Sequence, residues 1–209
     1  MSTVAPLAAA GCETLQLDVT DGDSITAAVE HIRKSYDRLD VLVNNAGISH
    51  AGPGSRTPDQ MMGETYLSVV DMEELRAVYE TNLFGVIAVT QAMLPLLREA
   101  PAGRIVNVSS IAGSLTRNAD PSNPMRQYAG TYSTSKTALN AVTQAFAIEL
   151  EHTSIKVTAV CPGFTATDNN KFIGTGTVGE AALEPVRLAS LGPDSPTGTF
   201  TNSSGPIPW

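Results

Sequence analysis

Leu39-Asp40-Val41-Leu42-Val43-Asn44-Asn45-Ala46-Gly47 decides the fold. Leu39 to Val43 is an apolar run of strand length, and Asn44-Asn45-Ala46-Gly47 breaks it. Upstream, Thr14–Leu17 alternates apolar and polar residues and is expected as a strand ending at Asp18. Asp18-Val19-Thr20-Asp21 then opens a helix expected to reach Arg33, with Asp or Ser as its cap. Downstream, residues 49–70 hold Gly52, Pro53, Gly54, Pro58 and Gly63, which predicts a long loop. Asp71 is expected to cap a helix that runs to Leu97 with a break along it. Arg104–Val108 reads as the next strand and Ser109–Gly130 as a loop. A helix over about Tyr132 to Glu151 follows, with Ala138, Leu139, Val142, Phe146 and Leu150 on one face. Ile155–Val160 is a strand broken by Cys161-Pro162-Gly163. A helix near Val178–Ser190 and a strand near Gly198–Thr201 complete the pattern. Strands alternating with helices predict an α/β fold, a mostly parallel sheet with helices on both faces. No linker or repeat divides residues 1–209, so one domain is expected.

Composition narrows the function. The 209 residues are 42% hydrophobic and 16% charged, which excludes a disordered or collagen-like chain. A net charge of -8 argues against nucleic acid or an anionic membrane as partner. Cys12 and Cys161 make no disulfide framework, and His31, His50 and His152 lack ligand spacing, so no metal is expected. Ala10-Gly11-Cys12 has the look of a lipoprotein cleavage site. No basic residue precedes it and Pro6 interrupts the apolar stretch, so it is read as no signal. Thr81 to Leu97 is the longest uncharged run, but Asn82, Thr90, Gln91 and Pro95 make it a buried helix rather than a membrane span. A cytoplasmic location is expected.

In such sheets ligands bind beyond the carboxyl ends of the strands. Polar or glycine-rich punctuation at Asp18, at Asn44–Gly47, at Ser109-Ser110 and at Pro162–Thr167 marks a crevice there, although each alone could be an ordinary turn. Tyr132-Ser133-Thr134-Ser135-Lys136 places a phenol and an ammonium on one helix face. A free phenol titrates near 10, too high for proton exchange at neutrality; a lysine charge beside it favours the phenolate and makes a general acid/base. A tyrosine lying along a lysine stem on the surface is the bland alternative.

Taken together, these segments resemble the short-chain dehydrogenase/reductase family over essentially the whole chain. Asn44-Asn45-Ala46-Gly47 is similar to the motif after its fourth strand. Asn107-Val108-Ser109-Ser110 with Ala112-Gly113 resembles its serine segment, Tyr132–Lys136 its catalytic motif, and Pro162-Gly163-Phe164-Thr165-Ala166-Thr167 its nicotinamide-side loop. The resemblance implies an NAD(P)-dependent oxidoreductase that reduces a ketone or aldehyde, or oxidises a secondary alcohol. Tyr132 would donate or accept the proton, and Lys136 would lower its pKa and bond the nicotinamide ribose. Ser110, rather than Ser109, would polarise the carbonyl. Asn82 would hold a water leading toward Lys136; otherwise it is a buried polar residue needing a partner. Asp18 and Val19 would lie by the adenine and Asn45, Ala46 and Gly47 along the adenosine ribose. Pro162, Gly163, Thr165 and Thr167 would lie by the carboxamide. Glu184–Ala189, Leu191–Asp194 and Trp209 resemble the carbonyl-reductase branch, which slightly favours NADP over NAD. Arg117 to Arg126 would border the active site. A small carbonyl or alcohol substrate is implied, and a homo-oligomer is left open.

One family feature is missing. A dinucleotide fold needs a glycine-rich turn whose amides face the pyrophosphate. Gly11 is the sole glycine before Asp18, and Gly52-Pro53-Gly54 stands in the wrong context. The expected fold class is thus a Rossmann-like, doubly wound parallel sheet, N-terminally truncated, with the first two strands absent. That would leave Thr14–Leu17 without its neighbours and turn strand 39–43 into an open edge. Two readings follow: an oxidoreductase, or a cofactor-deficient relative without activity, kept as an interaction protein or fragment.

Overall fold

The computed structural model describes residues 9–52, 57, 60, 63–124, 126 and 130–209. Pro53, Gly54 and Pro58 of the expected loop lie outside them. Helix α1 (Gly22–Ser35) starts where Asp21 accepts a hydrogen bond from the Asp23 amide, and it buries Ile25 and Ala28. Strand β1 (Val41–Asn44) follows. Asp71 caps α2 (Met72–Tyr79) by accepting from the amides of Glu73 and Glu74. The expected break is a π-turn over Glu80–Phe84, after which α3 (Gly85–Arg98) continues.

Strand β2 (Arg104–Val108) leads into a 3₁₀ turn at Ile111–Gly113. A short helix α4 (Leu115–Ala119) then interrupts what was expected as plain loop, because Ser114 accepts from the Arg117 amide and starts it. Helix α5 (Thr131–Glu149), strand β3 (Lys156–Val160), helix α6 (Val178–Ala189) and strand β4 (Thr199–Asn202) match expectation within two residues. A two-residue strand β5 (Gly205–Pro206) turns back on β4 and was not foreseen.

The sheet runs β1-β2-β3-β4-β5, parallel except for the last pair. Register places Leu42, Ile105 and Val157 in one row, and Asn44, Asn107, Ala159 and Phe200 in the next row on the same face. The lower row is oil and joins Ile25, Ala28, Val89, Met93, Leu97, Phe146 and Leu150 in the main core beneath α1, α3 and α5. The upper row opens on two amides just under the strand ends. On the opposite face, among the described residues, α6 alone covers the sheet, with Leu188 on Val106 and Val160. Met72–Arg98 is long and apolar enough to cross a membrane. Here Val86, Val89, Met93, Leu96 and Leu97 are buried against the rest of the chain.

The Thr14–Leu17 strand does not form: residues 12–18 have no regular structure, and Leu15 and Leu17 are exposed. A strand is stable only through ladder partners, and β1 is not beside this segment to supply them. For the same reason β1 is the edge of the sheet, with Val43 42% exposed.

Candidate active site

The carboxyl ends of β1, β2 and β3 deliver three polar turns to the first two turns of α5. Tyr132 and Lys136 lie one helical turn apart on α5, with the Lys136 ammonium 5.8 Å from the centre of the Tyr132 ring. Ser110, two residues beyond the end of β2, is brought to the Tyr132 phenol and favours its phenolate form. Its hydroxyl oxygen also accepts from the Ala112 amide at 3.2 Å, which fixes the side chain at the head of the 3₁₀ turn. Ser109 is buried and faces away from the phenol, toward Asn140. Of the two serines, Ser110 is thus the one brought to Tyr132.

Electrostatics here are set by burial. The Tyr132 phenol is pushed up to about 12 rather than lowered by Lys136 as expected, chiefly because burial disfavours the phenolate, with Ser110 pulling the other way. Burial acts on Lys136 in the opposite sense and brings its ammonium down to about 8. Its Nζ donates to the Val108 carbonyl at 2.8 Å. Lys136 therefore stays mainly charged at neutral pH. Cys161 is buried, and its thiol is pushed up by that burial, in keeping with a packed small residue rather than a nucleophile.

Asn82 sits in the π-turn, fully buried. Its Oδ1 accepts from the Ile48 amide at 2.8 Å, and its Nδ2 donates to the Ile48 carbonyl at 2.8 Å and to Ser135 Oγ at 2.9 Å. It thereby ties the turn after β1 to α5. A side chain on Gly47 would lie 3.3 Å from both Asn82 Oδ1 and Lys136 Nζ, so glycine brings these groups together. Asn82, Gly47, Ser110, Tyr132 and Lys136 form one cluster.

The residues assigned to a cofactor fall on either side of it. Val19, Asn45 and Ala46 line one cavity of about 180 Å³ with Leu17, Leu42, Val43, Val86 and Val89. The Val19 carbonyl would be 2.8 Å from a side chain at Gly85, so that glycine lets the 17–20 segment lie on α3. Asp18 is exposed. Its Oδ1 accepts from Thr20 Oγ1 at 2.7 Å and the Thr20 amide at 2.9 Å, which holds its carboxyl below the usual range. Beyond β3, Pro162 leads to Gly163, whose φ of 89° turns the chain into the loop of Thr165 and Thr167. Asn170 holds that loop through its bond to the Thr165 carbonyl at 2.8 Å. Ser49 bridges the two sides: its amide donates to Asn169 Oδ1 and its hydroxyl to the Asn169 carbonyl, both at 2.8 Å.

The sequence reading missed several contacts. Gly130, at the start of α5, would collide with the Thr65 carbonyl if it carried a side chain, and that carbonyl accepts from the Thr131 amide at 3.0 Å. The α4 segment is tied to the chain end through Ser114 to the Pro208 carbonyl and Thr116 to the Trp209 carbonyl. Asn140 and Ser109 are taken up below. None has a spacing signature; each depends on which loop folds back onto α5. Among the described residues, no group of three His, Cys, Asp or Glu side chains is placed to hold a metal.

The geometry has counterparts among known proteins. The family profile described as short chain dehydrogenase matches residues 3–177. The chain is 32% identical to (+)-neomenthol dehydrogenase of Arabidopsis thaliana, over 88% of this chain and 75% of that protein. It is 30% identical to salutaridine reductase of Papaver bracteatum, over 90% and 77%. Among solved structures, NADPH-bound carbonyl reductase from chicken fatty liver superposes with a TM-score of 0.80 at 27% identity, covering 99% of this chain and 81% of that one. Carbonyl reductase Sniffer of D. melanogaster gives a TM-score of 0.78 at 29% identity, over 99% and 82%. The sheet, the cluster and these matches agree: the chain belongs to the short-chain dehydrogenase family, a lineage of NAD(P)-dependent oxidoreductases.

Proposed function

We propose that Tyr132 passes the proton in a carbonyl–alcohol interconversion, as acid toward a ketone or aldehyde and as base toward a secondary alcohol. The meeting of Ser110 and the Tyr132 phenol at the strand ends, with the Lys136 ammonium 5.8 Å from the ring centre, carries this reading. A buried phenol resists ionisation, so only a positive charge at close range makes its proton mobile near neutrality. Lys136 supplies that charge, and Ser110 orients the substrate oxygen toward the phenol. Asn82 holds the π-turn and the Gly47 turn in place and leads water toward Lys136. The nicotinamide, when bound, supplies or takes the hydride.

For that cofactor, the Thr165–Thr167 loop fits the nicotinamide end, while Gly47, expected along the adenosine ribose, lies instead beside Lys136, which a side chain there would crowd. Val19, Asn45 and Ala46 share a cavity suited to the adenosine side, with Asp18 at its rim, and NADP is the favoured form. The substrate is a small carbonyl or alcohol. The second reading, a cofactor-deficient relative without activity, makes the opposite prediction for nucleotide binding.

Titration of the chain with NADPH and NADH by calorimetry separates the two. Micromolar binding with turnover of a test ketone supports the enzyme, and no binding at millimolar nucleotide supports the second reading. In an active preparation, Tyr132→Phe is expected to lower kcat by about 10³-fold or more without changing the melting temperature. A near-normal rate would remove Tyr132 from its role.

A further inference from the structure

Asn140 stands two turns beyond Tyr132 on α5, 4% exposed, outside the catalytic cluster. Its Oδ1 accepts from Ser109 Oγ at 2.6 Å, and its Nδ2 donates to the Gly113 carbonyl at 3.2 Å. These two partners flank Ser110 and its turn on both sides. The same Gly113 carbonyl accepts from Thr137 Oγ1 at 3.0 Å. Ser109 Oγ also lies 3.4 Å from the Lys136 carbonyl, and its amide donates to the Val160 carbonyl at 2.7 Å. At Gly113 a side chain would fall 2.7 Å from the Lys136 carbonyl carbon, so the turn rests directly on the helix backbone. The serine turn has no regular secondary structure linking it to α5; side-chain bonds span it, and Asn140 alone holds it at both ends.

We infer that Asn140 is a positioning residue: it clamps Ser109 and Gly113 against α5 and thereby sets where Ser110 stands relative to Tyr132. Removing it leaves the turn held at the end of β2, by Thr137, by the long Ser109–Lys136 carbonyl contact and by Asn118 on the Ala112 carbonyl, so the turn can shift on the helix. The carboxamide is suited to the task because it accepts from one end of the turn and donates to the other. A displacement of about 1 Å at such a site costs about 100-fold in rate. This inference rests on the proposed role of Tyr132 for its kinetic consequence, but not for its structural one.

The test uses chain carrying ¹³C at the tyrosine Cζ, which gives five resonances for five tyrosines. Tyr132→Phe identifies the Tyr132 signal and Ser110→Ala sets the shift for loss of the Ser110 hydroxyl beside the phenol. Asn140→Leu, an apolar near-isostere, and Ser109→Ala, which removes one arm of the clamp, are then compared. Both should move the Tyr132 resonance in the direction of Ser110→Ala and leave the other four in place. If the folded variants leave the Tyr132 signal unmoved, or lower only the melting temperature, Asn140 is structural filler and the inference fails. Should Asn140→Leu not fold, Ser109→Ala alone decides. In an active preparation kcat should drop by about 10- to 100-fold with nucleotide Kd unchanged. Absence of turnover in the unsubstituted chain would count against the proposed function and leave the resonance measurement to decide this inference.

Discussion

Lys136 shows what a buried charge costs. Its ammonium is 4% exposed, hydrogen-bonded to a single backbone carbonyl, and held at about 8 against 10.5 when free. Because its folded pKa lies below the unfolded one, the unfolded chain binds more protons between about pH 8 and 10.5, and stability rises with pH across that window. Tyr132 acts afterwards in the other sense. With the folded phenol near 12 and the free one at 10, the native chain holds its proton longer, and its contribution is lost from pH 10 upward. Lys136→Met should therefore stabilise the chain at pH 7, by on the order of 2 kcal/mol after the lost hydrogen bond is counted. The gain should shrink toward zero by pH 10. Urea denaturation at pH 7 and pH 10 checks this, and a destabilised variant at pH 7 would show that Lys136 is not under strain. Stability and catalysis compete at this position, as expected where a charge is kept for its chemistry.

Among the elements, legibility followed the locality of the cause. Arg104–Val108 was placed to the residue because a buried parallel strand reads as an apolar run. Asp71 marked a helix start because capping depends on the next three amides, and of the Asp and Ser residues left open for the first helix Asp21 is the cap. The break in the 72–98 helix was anticipated, while its π geometry follows from Asn82 reaching Ile48 across the fold. Thr14–Leu17 had the right alternation yet no ladder to join, which alternation cannot reveal. The cluster of Ser110, Tyr132 and Lys136 was legible from spacing and motif order. The residues that dock the serine turn were not, since Asn140 looks like any polar residue on a helix. That docking yields a prediction. Gly113→Ala forces a side chain onto the α5 backbone, so it should cost about 1–3 kcal/mol in thermal or chemical denaturation. An unchanged midpoint would show that the turn does not rest on the helix as described.

For the molecule as a whole, the two faces of the sheet are unequal. Three long helices cover one, and α6 alone covers the other among the described residues, with Leu183 and Val186 exposed along it. β1 lies at the margin with its backbone groups facing outward and Val43 half exposed. A parallel sheet is normally buried on both faces, so this margin is where the fold is least protected. Val43→Lys should accordingly raise solubility and suppress association at high concentration while leaving the melting temperature within about 1 kcal/mol equivalent. Light scattering against concentration provides the measurement; equal association of both chains would place the sticky surface elsewhere.

The bonds from Ser114 to Pro208 and from Thr116 to Trp209 join the last residues to the segment immediately after the serine turn. Trp209, though exposed on one side, also stacks on Phe200 at 5.5 Å, so residues 208 and 209 are tied both to α4 and to the sheet. Any force on residues 208 and 209 would thus be passed to the loop that carries Ser110.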